Sequence, residues 1–178
     1  MMALAPLPAD IFLAPMAGLC GKGIALGQWL NGDGFRKVQH VGIYLGDGQT
    51  IEAMPGGAII GELDLFDPRS LVWSTGLLDL TQNERSVICD YGRGLEGVPY
   101  SWLDYDALAM HRFHIPTPGL RRYIETSGHM ICSQLVDRVY KLAGIQLFSD
   151  GRWDGDVTPA DLYNLFETIR SNKMALGV

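Results

Sequence analysis

Residues 38–53 read VQHVGIYLGDGQTIEA, and this stretch decides the fold. It is typical of two β-strands joined by a tight turn near residues 46–48, because alternating apolar residues flank a short run rich in glycine. Side chains along a strand point alternately to opposite faces of a sheet. Val41 and Ile43 therefore share one face of the first strand, and His40 and Tyr44 share the other.

The length of the turn decides which residues face each other across the hairpin. A two-residue turn at 47–48 would pair Ile43 with Glu52 and place a carboxylate among apolar side chains. A three-residue loop at 46–48 pairs Ile43 with Ile51 and suits the left-handed conformation on which such a loop ends. Because burying an unpartnered carboxylate is costly, the sequence favours the three-residue loop.

This register brings a base and a carboxylate together. Glu52 is expected opposite Gly42 and diagonal to His40 on the same face, within reach of a long side chain. Glycine at position 42 removes the side chain that would stand between them. The alternative is that His40 and Glu52 are ordinary exposed residues on the solvent face of a hairpin.

A cysteine thiol, that of Cys132, lies at the start of a helix predicted over residues 131–143 and ended by Gly144. One face of this helix carries Cys132, Val136, Val139, Tyr140 and Ala143. Ser133, Gln134, Asp137 and Lys141 are predicted to lie away from that face. Cys132 falls in the first turn, where backbone N–H groups and the helix dipole stabilise a thiolate. The alternative is that Cys132 is only a small buried apolar residue.

The remaining patterns predict an α+β protein in which an antiparallel sheet packs against helices, in one domain spanning residues 1–178. Further strands are expected at Ile11–Ala14, Ala58–Leu63 and Leu71–Ser74. Helices are expected at Gly18–Leu30, from Thr81 towards Gly92 or Gly94, at Tyr100–His111, and from Thr158 onward. Thr81 and Thr158 are the predicted N-caps of their helices.

Composition limits the possible partners and the compartment. The 178 residues carry a net charge of −6, which argues against a nucleic-acid surface and an anionic membrane surface. No apolar run approaches the roughly 20 residues of a spanning helix. The first residues lack a basic region, so we expect no signal peptide and a cytoplasmic protein, or one that is released or associated with a virion if a phage encodes it. Three cysteines at these spacings indicate free thiols, with Cys20 and Cys89 in structural roles.

A metal site is not favoured. His129-x-x-Cys132 has the spacing of a metal-binding pair, but no second His-x-x-Cys pair is present in the sequence. We therefore expect neither a metal nor a cofactor.

Several short motifs together resemble the circularly permuted branch of the NlpC-type papain-like hydrolases. They are Asp10–Leu13, His40–Gly48, Ile51–Ala53, Gly97–Tyr100, Cys132–Val136 and Thr158–Leu162. The similarity extends from about Asp10 to Leu165. In that branch the histidine strand precedes the cysteine helix. The chain departs from the family at Ala9, where glycine is common.

The resemblance implies a cysteine hydrolase with Cys132 as nucleophile, His40 as base and Glu52 as the residue that orients the imidazole. Tyr44, on the face of His40, and Tyr100, which matches a tyrosine common in the family, are expected to contact substrate. The expected substrate is an amide bond in a peptide or peptidoglycan stem. Action on the cell wall would require lysis, a phage particle or a secretion machine.

Two other functions use the same fold. An acyltransferase or thioesterase acting on lipid acyl groups would use the same three residues with a hydrophobic channel, for which the loop Phe113–Tyr123 is a candidate. A binding module without activity is the third possibility. Fold resemblance alone does not choose among them.

Overall fold

The computed structural model describes residues 5–16, 37–54, 56–99, 131–152 and 157–177. Within these ranges the chain forms an antiparallel sheet of five strands in the order β4-β3-β2-β1-β5. The strands are β1 (Ile11–Ala14), β2 (His40–Gly46), β3 (Gln49–Met54), β4 (Gly57–Glu62) and β5 (Val72–Trp73). The predicted class, an antiparallel sheet with helices packed on it, is confirmed.

Three α-helices lie in the same ranges: α1 (Gln82–Gly94), α2 (Cys132–Leu142) and α3 (Pro159–Leu176). Thr81 and Thr158 cap α1 and α3 with their side chains, as predicted. No helix in the described part of the chain is long and apolar enough to cross a membrane. The helices predicted at Gly18–Leu30 and Tyr100–His111 lie outside the described residues.

The main core forms where α2 packs against one face of the sheet. Its buried members include Leu13, Val41, Ile43, Ile51, Val136, Val139 and Tyr140. The opposite face of the sheet is also covered near β1 and β2, because Phe12 on that face is completely buried. Both faces of the central strands are therefore shielded from water.

The β2–β3 hairpin has the predicted register but reaches it by a different turn. Gly42 pairs with Glu52 and Ile43 pairs with Ile51, which confirms the predicted pairing. The predicted three-residue loop is wrong, since Gly46 pairs with Gln49 around a two-residue turn.

A bulge reconciles this short turn with the observed register. Asp47 and Gly48 have φ angles of 51° and 78°, as a type I′ turn requires. The ladder then shifts between Tyr44 and Gly46, and the extra residue in β2 moves the pairing by one position. The carboxylate of Glu52 is thus kept off the apolar face.

Helix α2 is more deeply buried than its amphipathic pattern predicts. Ser133, Gln134 and Asp137, expected to lie away from the packing face, are at most 5% exposed. The Ser133 hydroxyl donates to the carbonyl of Val157 at 2.6 Å, so the chain leading into α3 covers a second side of the helix. The prediction that Ser133, Gln134 and Asp137 lie away from the packed face is therefore wrong.

A buried polar network fixes the start of β1. The Asp10 carboxylate accepts hydrogen bonds from Arg85 at 2.8 Å and from the Thr75 hydroxyl at 2.7 Å. The Tyr140 hydroxyl donates to the carbonyl of Ala9 at 2.5 Å. These contacts tie β1 to α1 and α2, and β1 in turn pairs with the histidine strand.

Candidate active site

His40 and Glu52 meet on the face of the sheet opposite the main core. His40 is the first residue of β2, and its Nε2 atom lies 2.7 Å from Oε2 of Glu52 on β3. The two residues are 3% and 4% exposed. The alternative in which both are ordinary surface residues of a hairpin is therefore wrong.

The absence of a side chain at Gly42 makes this contact possible. Gly42 pairs with Phe12 on one side and Glu52 on the other. A Cβ atom at position 42 would lie 2.6 Å from Cζ of Phe12 and 2.8 Å from Cγ of Glu52. The aromatic ring and the carboxylate stem occupy the space that any larger residue would need.

Cys132 joins this pair from the start of α2. Its side chain is close enough to the imidazole to raise the pKa of His40, and the residue is 5% exposed within the apolar core. Since Nε2 of His40 is engaged by Glu52, the other ring nitrogen, Nδ1, is the one available to the thiol. Cys132 is thus both a packed core residue and a partner of the imidazole.

The surroundings of His40 favour its charged form. Burial opposes the charge, but hydrogen bonds to Cys132 and Glu52 and the charges of these groups outweigh it, raising the pKa of His40 to about 10. An imidazolium between a carboxylate and a thiol is the state expected from such neighbours.

Two aromatic rings lie beside the imidazole. The Phe66 ring lies nearly parallel to that of His40, with centroids 6.2 Å apart, and Phe12 meets it edge-on at 6.5 Å. Phe12 also contacts Phe66 and Trp73. Sequence reasoning missed Phe66 and Trp73, because they reach the site through long-range contacts that no local pattern encodes.

Gln134 is another site residue that the sequence analysis placed wrongly. Its side-chain oxygen accepts a hydrogen bond at 2.9 Å from the backbone N–H of Ile131, just before Cys132. This contact fixes the backbone where the helix begins. The sequence could have indicated this contact, because glutamine three residues after an N-cap position can accept from the N-cap N–H, even though Ile131 has no side-chain acceptor for the reciprocal bond.

Of the two tyrosines expected to contact substrate, only Tyr44 lies among the described residues. Tyr44 lies on the face of His40, with its ring 6.0 Å from that of Trp73 and its hydroxyl accepting from the N–H of Gly48. Its role in binding stays a prediction. Tyr100 lies outside the described residues, as does the loop Phe113–Tyr123.

The other candidate groups are not brought to this site. Cys89 is buried in the core, and burial raises the pKa of its thiol. Cys20 and His129 lie outside the described residues. Among the residues that are described, no group of three or more histidine, cysteine or acidic side chains is arranged to hold a metal ion.

Comparison with known proteins gives no family assignment: no family model matches the sequence, and no curated protein matches it significantly. The function is therefore inferred from the residues of the site and their geometry.

Proposed function

We propose that this protein is a cysteine hydrolase that cleaves an amide bond through Cys132, His40 and Glu52. The observation that carries the proposal is the buried order Cys132–His40–Glu52, in which Nε2 of His40 lies 2.7 Å from Oε2 of Glu52 and Cys132, at the start of a helix, acts on the same imidazole. A nucleophile held against a base, with a third group orienting the base, is the arrangement of nucleophilic catalysis.

The reaction begins from the thiolate of Cys132 and the imidazolium of His40. The thiolate sulfur attacks the carbonyl carbon and forms an S–C bond. As the C–N bond breaks, the leaving nitrogen takes the proton from the imidazolium. The products of this half-reaction are a free amine, a thioacyl enzyme and a neutral imidazole.

Water completes the cycle. The neutral imidazole takes a proton from water, whose oxygen attacks the thioester carbonyl, and the S–C bond breaks. A carboxylic acid leaves, and thiolate and imidazolium are restored. Glu52 takes no part in these proton transfers and keeps Nε2 engaged, so that Nδ1 stays directed to the thiol.

The start of α2 also supplies a place for the negative oxygen of the intermediate. N–H groups in the first turn of a helix have no partner within the helix. The backbone N–H of Cys132 belongs to that turn and is the natural donor to an oxyanion formed at its own side chain.

We further propose that the fold is a permuted papain-like one. The support is the chain order, in which the histidine strand β2 and the Glu52 strand β3 precede the cysteine helix α2. The packing of α2 against the antiparallel sheet also supports it. The resemblance to NlpC-type hydrolases favours an amide in a peptide or peptidoglycan stem as the substrate.

The test compares two substrate classes with one panel of variants. Wild type, Cys132→Ala, His40→Ala and Cys89→Ala are incubated with a peptidoglycan stem peptide or with a long-chain acyl ester. Products and any acyl group on the protein are identified by mass spectrometry. We expect amide cleavage by wild type and Cys89→Ala, no cleavage by the other two variants, and the acyl group on Cys132.

Two results would decide against this function. Cleavage by Cys132→Ala would remove the cysteine from the mechanism. If the ester acylates the protein and no stem peptide is cleaved, the proposed amidase activity is wrong and a lipid acyltransferase or thioesterase is indicated.

A further inference from the structure

We propose that Thr50 is a positioning residue of this site, whose hydroxyl holds Glu52 so that the carboxylate faces His40. This inference rests on the proposed function, because it gives Thr50 a role through the Cys132–His40–Glu52 system. It adds to these three a fourth residue that does not touch the reacting atoms.

The two oxygens of Glu52 have separate partners. The Thr50 hydroxyl donates a hydrogen bond to Oε1 at 2.6 Å, and Oε2 meets Nε2 of His40 at 2.7 Å. Thr50 and Glu52 are two residues apart on β3, so their side chains share a face. The bond to Thr50 therefore fixes the plane of the carboxylate that His40 contacts.

The hydroxyl of Thr50 is well placed to control this carboxylate because water has little access to either group. Thr50 is completely buried and Glu52 is 4% exposed. A buried acceptor that loses its donor carries the full cost of its desolvation. Without the hydroxyl, Oε1 would have to find another partner, and the carboxylate would turn from His40 or lose charge.

Glycine leaves room for the Thr50–Glu52 bond on the neighbouring strand. Gly61 pairs with Thr50 across the β3–β4 ladder. A Cβ atom at position 61 would lie 3.3 Å from both Oε1 of Glu52 and the Thr50 hydroxyl oxygen. The bond is thus enclosed by β4 on one side, as Gly42 leaves room for Glu52 on the other.

His40 reports on this arrangement directly. In the described part of the chain, the titratable groups that act on it are Cys132 from α2 and Glu52 from β3. A carboxylate that turns or loses charge removes one of the two influences that favour the imidazolium. The titration of His40 then moves to lower pH.

The experiment compares four forms of the full-length chain: wild type, Thr50→Val, Thr50→Ser and Thr75→Val. Valine has the shape of threonine without the donor, and serine keeps the donor. Thr75→Val is the matched control, because the Thr75 hydroxyl also donates to a buried carboxylate, that of Asp10, at 2.7 Å. The readouts are His40 titration by NMR, Cys132 alkylation at pH 7, and thermal unfolding.

We expect Thr50→Val to move the His40 titration down by about one pH unit and to slow alkylation about tenfold. Thr50→Ser should restore both values, and Thr75→Val should change only the unfolding temperature. An unchanged His40 titration in folded Thr50→Val, or an equal shift in Thr75→Val, would overturn the proposal.

A second variant covers the case in which Thr50→Val does not fold. Gly61→Ala crowds the Thr50–Glu52 bond without altering either partner, and we expect a downward shift of the His40 titration. No shift in folded Gly61→Ala would overturn the proposal. Failure to hydrolyse any substrate would contradict the proposed function. The His40 titrations test the positioning role of Thr50 whether or not hydrolysis is detected.

Discussion

The imidazole of His40 and the carboxylate of Glu52 are joined at 2.7 Å across two antiparallel strands, with no more than 5% of either side chain exposed. A charged pair at this depth depends on each partner, because removing one leaves the other buried and uncompensated. This dependence makes the site sensitive to changes that preserve shape and alter charge.

Glu52→Gln keeps the size of the side chain and removes its charge. The His40 pKa, raised to about 10 in the native protein, should fall, because one of the groups favouring the imidazolium is lost. We expect amide hydrolysis at pH 8 to drop by about a hundredfold. On the alkaline side of the pH–rate profile, the rate should begin to fall at a lower pH in Glu52→Gln than in wild type. Identical profiles would contradict this role of Glu52.

The same pair should make stability depend on pH in one direction. The folded pKa of His40, about 10, lies above its ordinary value of 6.5. The stabilisation is therefore fully present below pH 6.5 and is lost as the pH rises through about 10. Relative to wild type, Glu52→Gln should be less stable by about 2 kcal/mol at pH 6.5.

Denaturant unfolding at several pH values checks this prediction. The difference between wild type and Glu52→Gln should shrink as the pH approaches 10 and beyond. A difference that grows with pH would show that His40 is not charged in the folded protein.

Gly42→Ala should damage the site by crowding. The added Cβ atom would meet Phe12 and Glu52 at less than 3 Å, and overpacking of this kind costs about 1–3 kcal/mol. Gly94→Ala is the matched control, because a Cβ atom at position 94 would meet nothing within 4 Å. Thermal unfolding should separate the two variants, and equal unfolding temperatures would contradict the packing described for Gly42.

Ala9→Gly should stabilise the protein. Ala9 has a φ angle of 72°, a left-handed conformation that costs a residue with a Cβ atom roughly 1–2 kcal/mol. Glycine avoids this cost but has a more flexible unfolded state, so the expected gain is about 0.5–1 kcal/mol. Chemical denaturation measures it, and a loss of stability would show that the Ala9 methyl group contributes more through packing than the backbone strain costs.

The sequence was sufficient to predict the pairing of Gly42 with Glu52, because the cost of burying a carboxylate distinguishes two registers that differ by one residue. It did not predict how the chain achieves that pairing. The bulge between Tyr44 and Gly46 changes no hydrophobic pattern, and both turns accommodate the same glycines. The local sequence thus predicts which face of the sheet each strand residue occupies, but not the turn type or the bulge that precedes it.

The surroundings of the site are formed by contacts between residues that are far apart in the chain. Amphipathic spacing predicted the face of α2 that carries Cys132, but it gave no sign that Ser133 would be covered by the chain at Val157. Phe66 likewise meets His40 only because the segment after β4 returns across the sheet. Such contacts are properties of the assembled fold, and no short sequence window contains them.

The most direct test of the account is the alkylation of Cys132 near neutral pH. Wild type, His40→Ala and His129→Ala are treated briefly with iodoacetamide, and the modified peptides are quantified by mass spectrometry. We expect Cys132 to react before Cys89 and Cys20 in wild type and His129→Ala, and to react at least tenfold more slowly in His40→Ala. Preferential labelling of another cysteine, or an unchanged rate in His40→Ala, would contradict a thiolate held by His40.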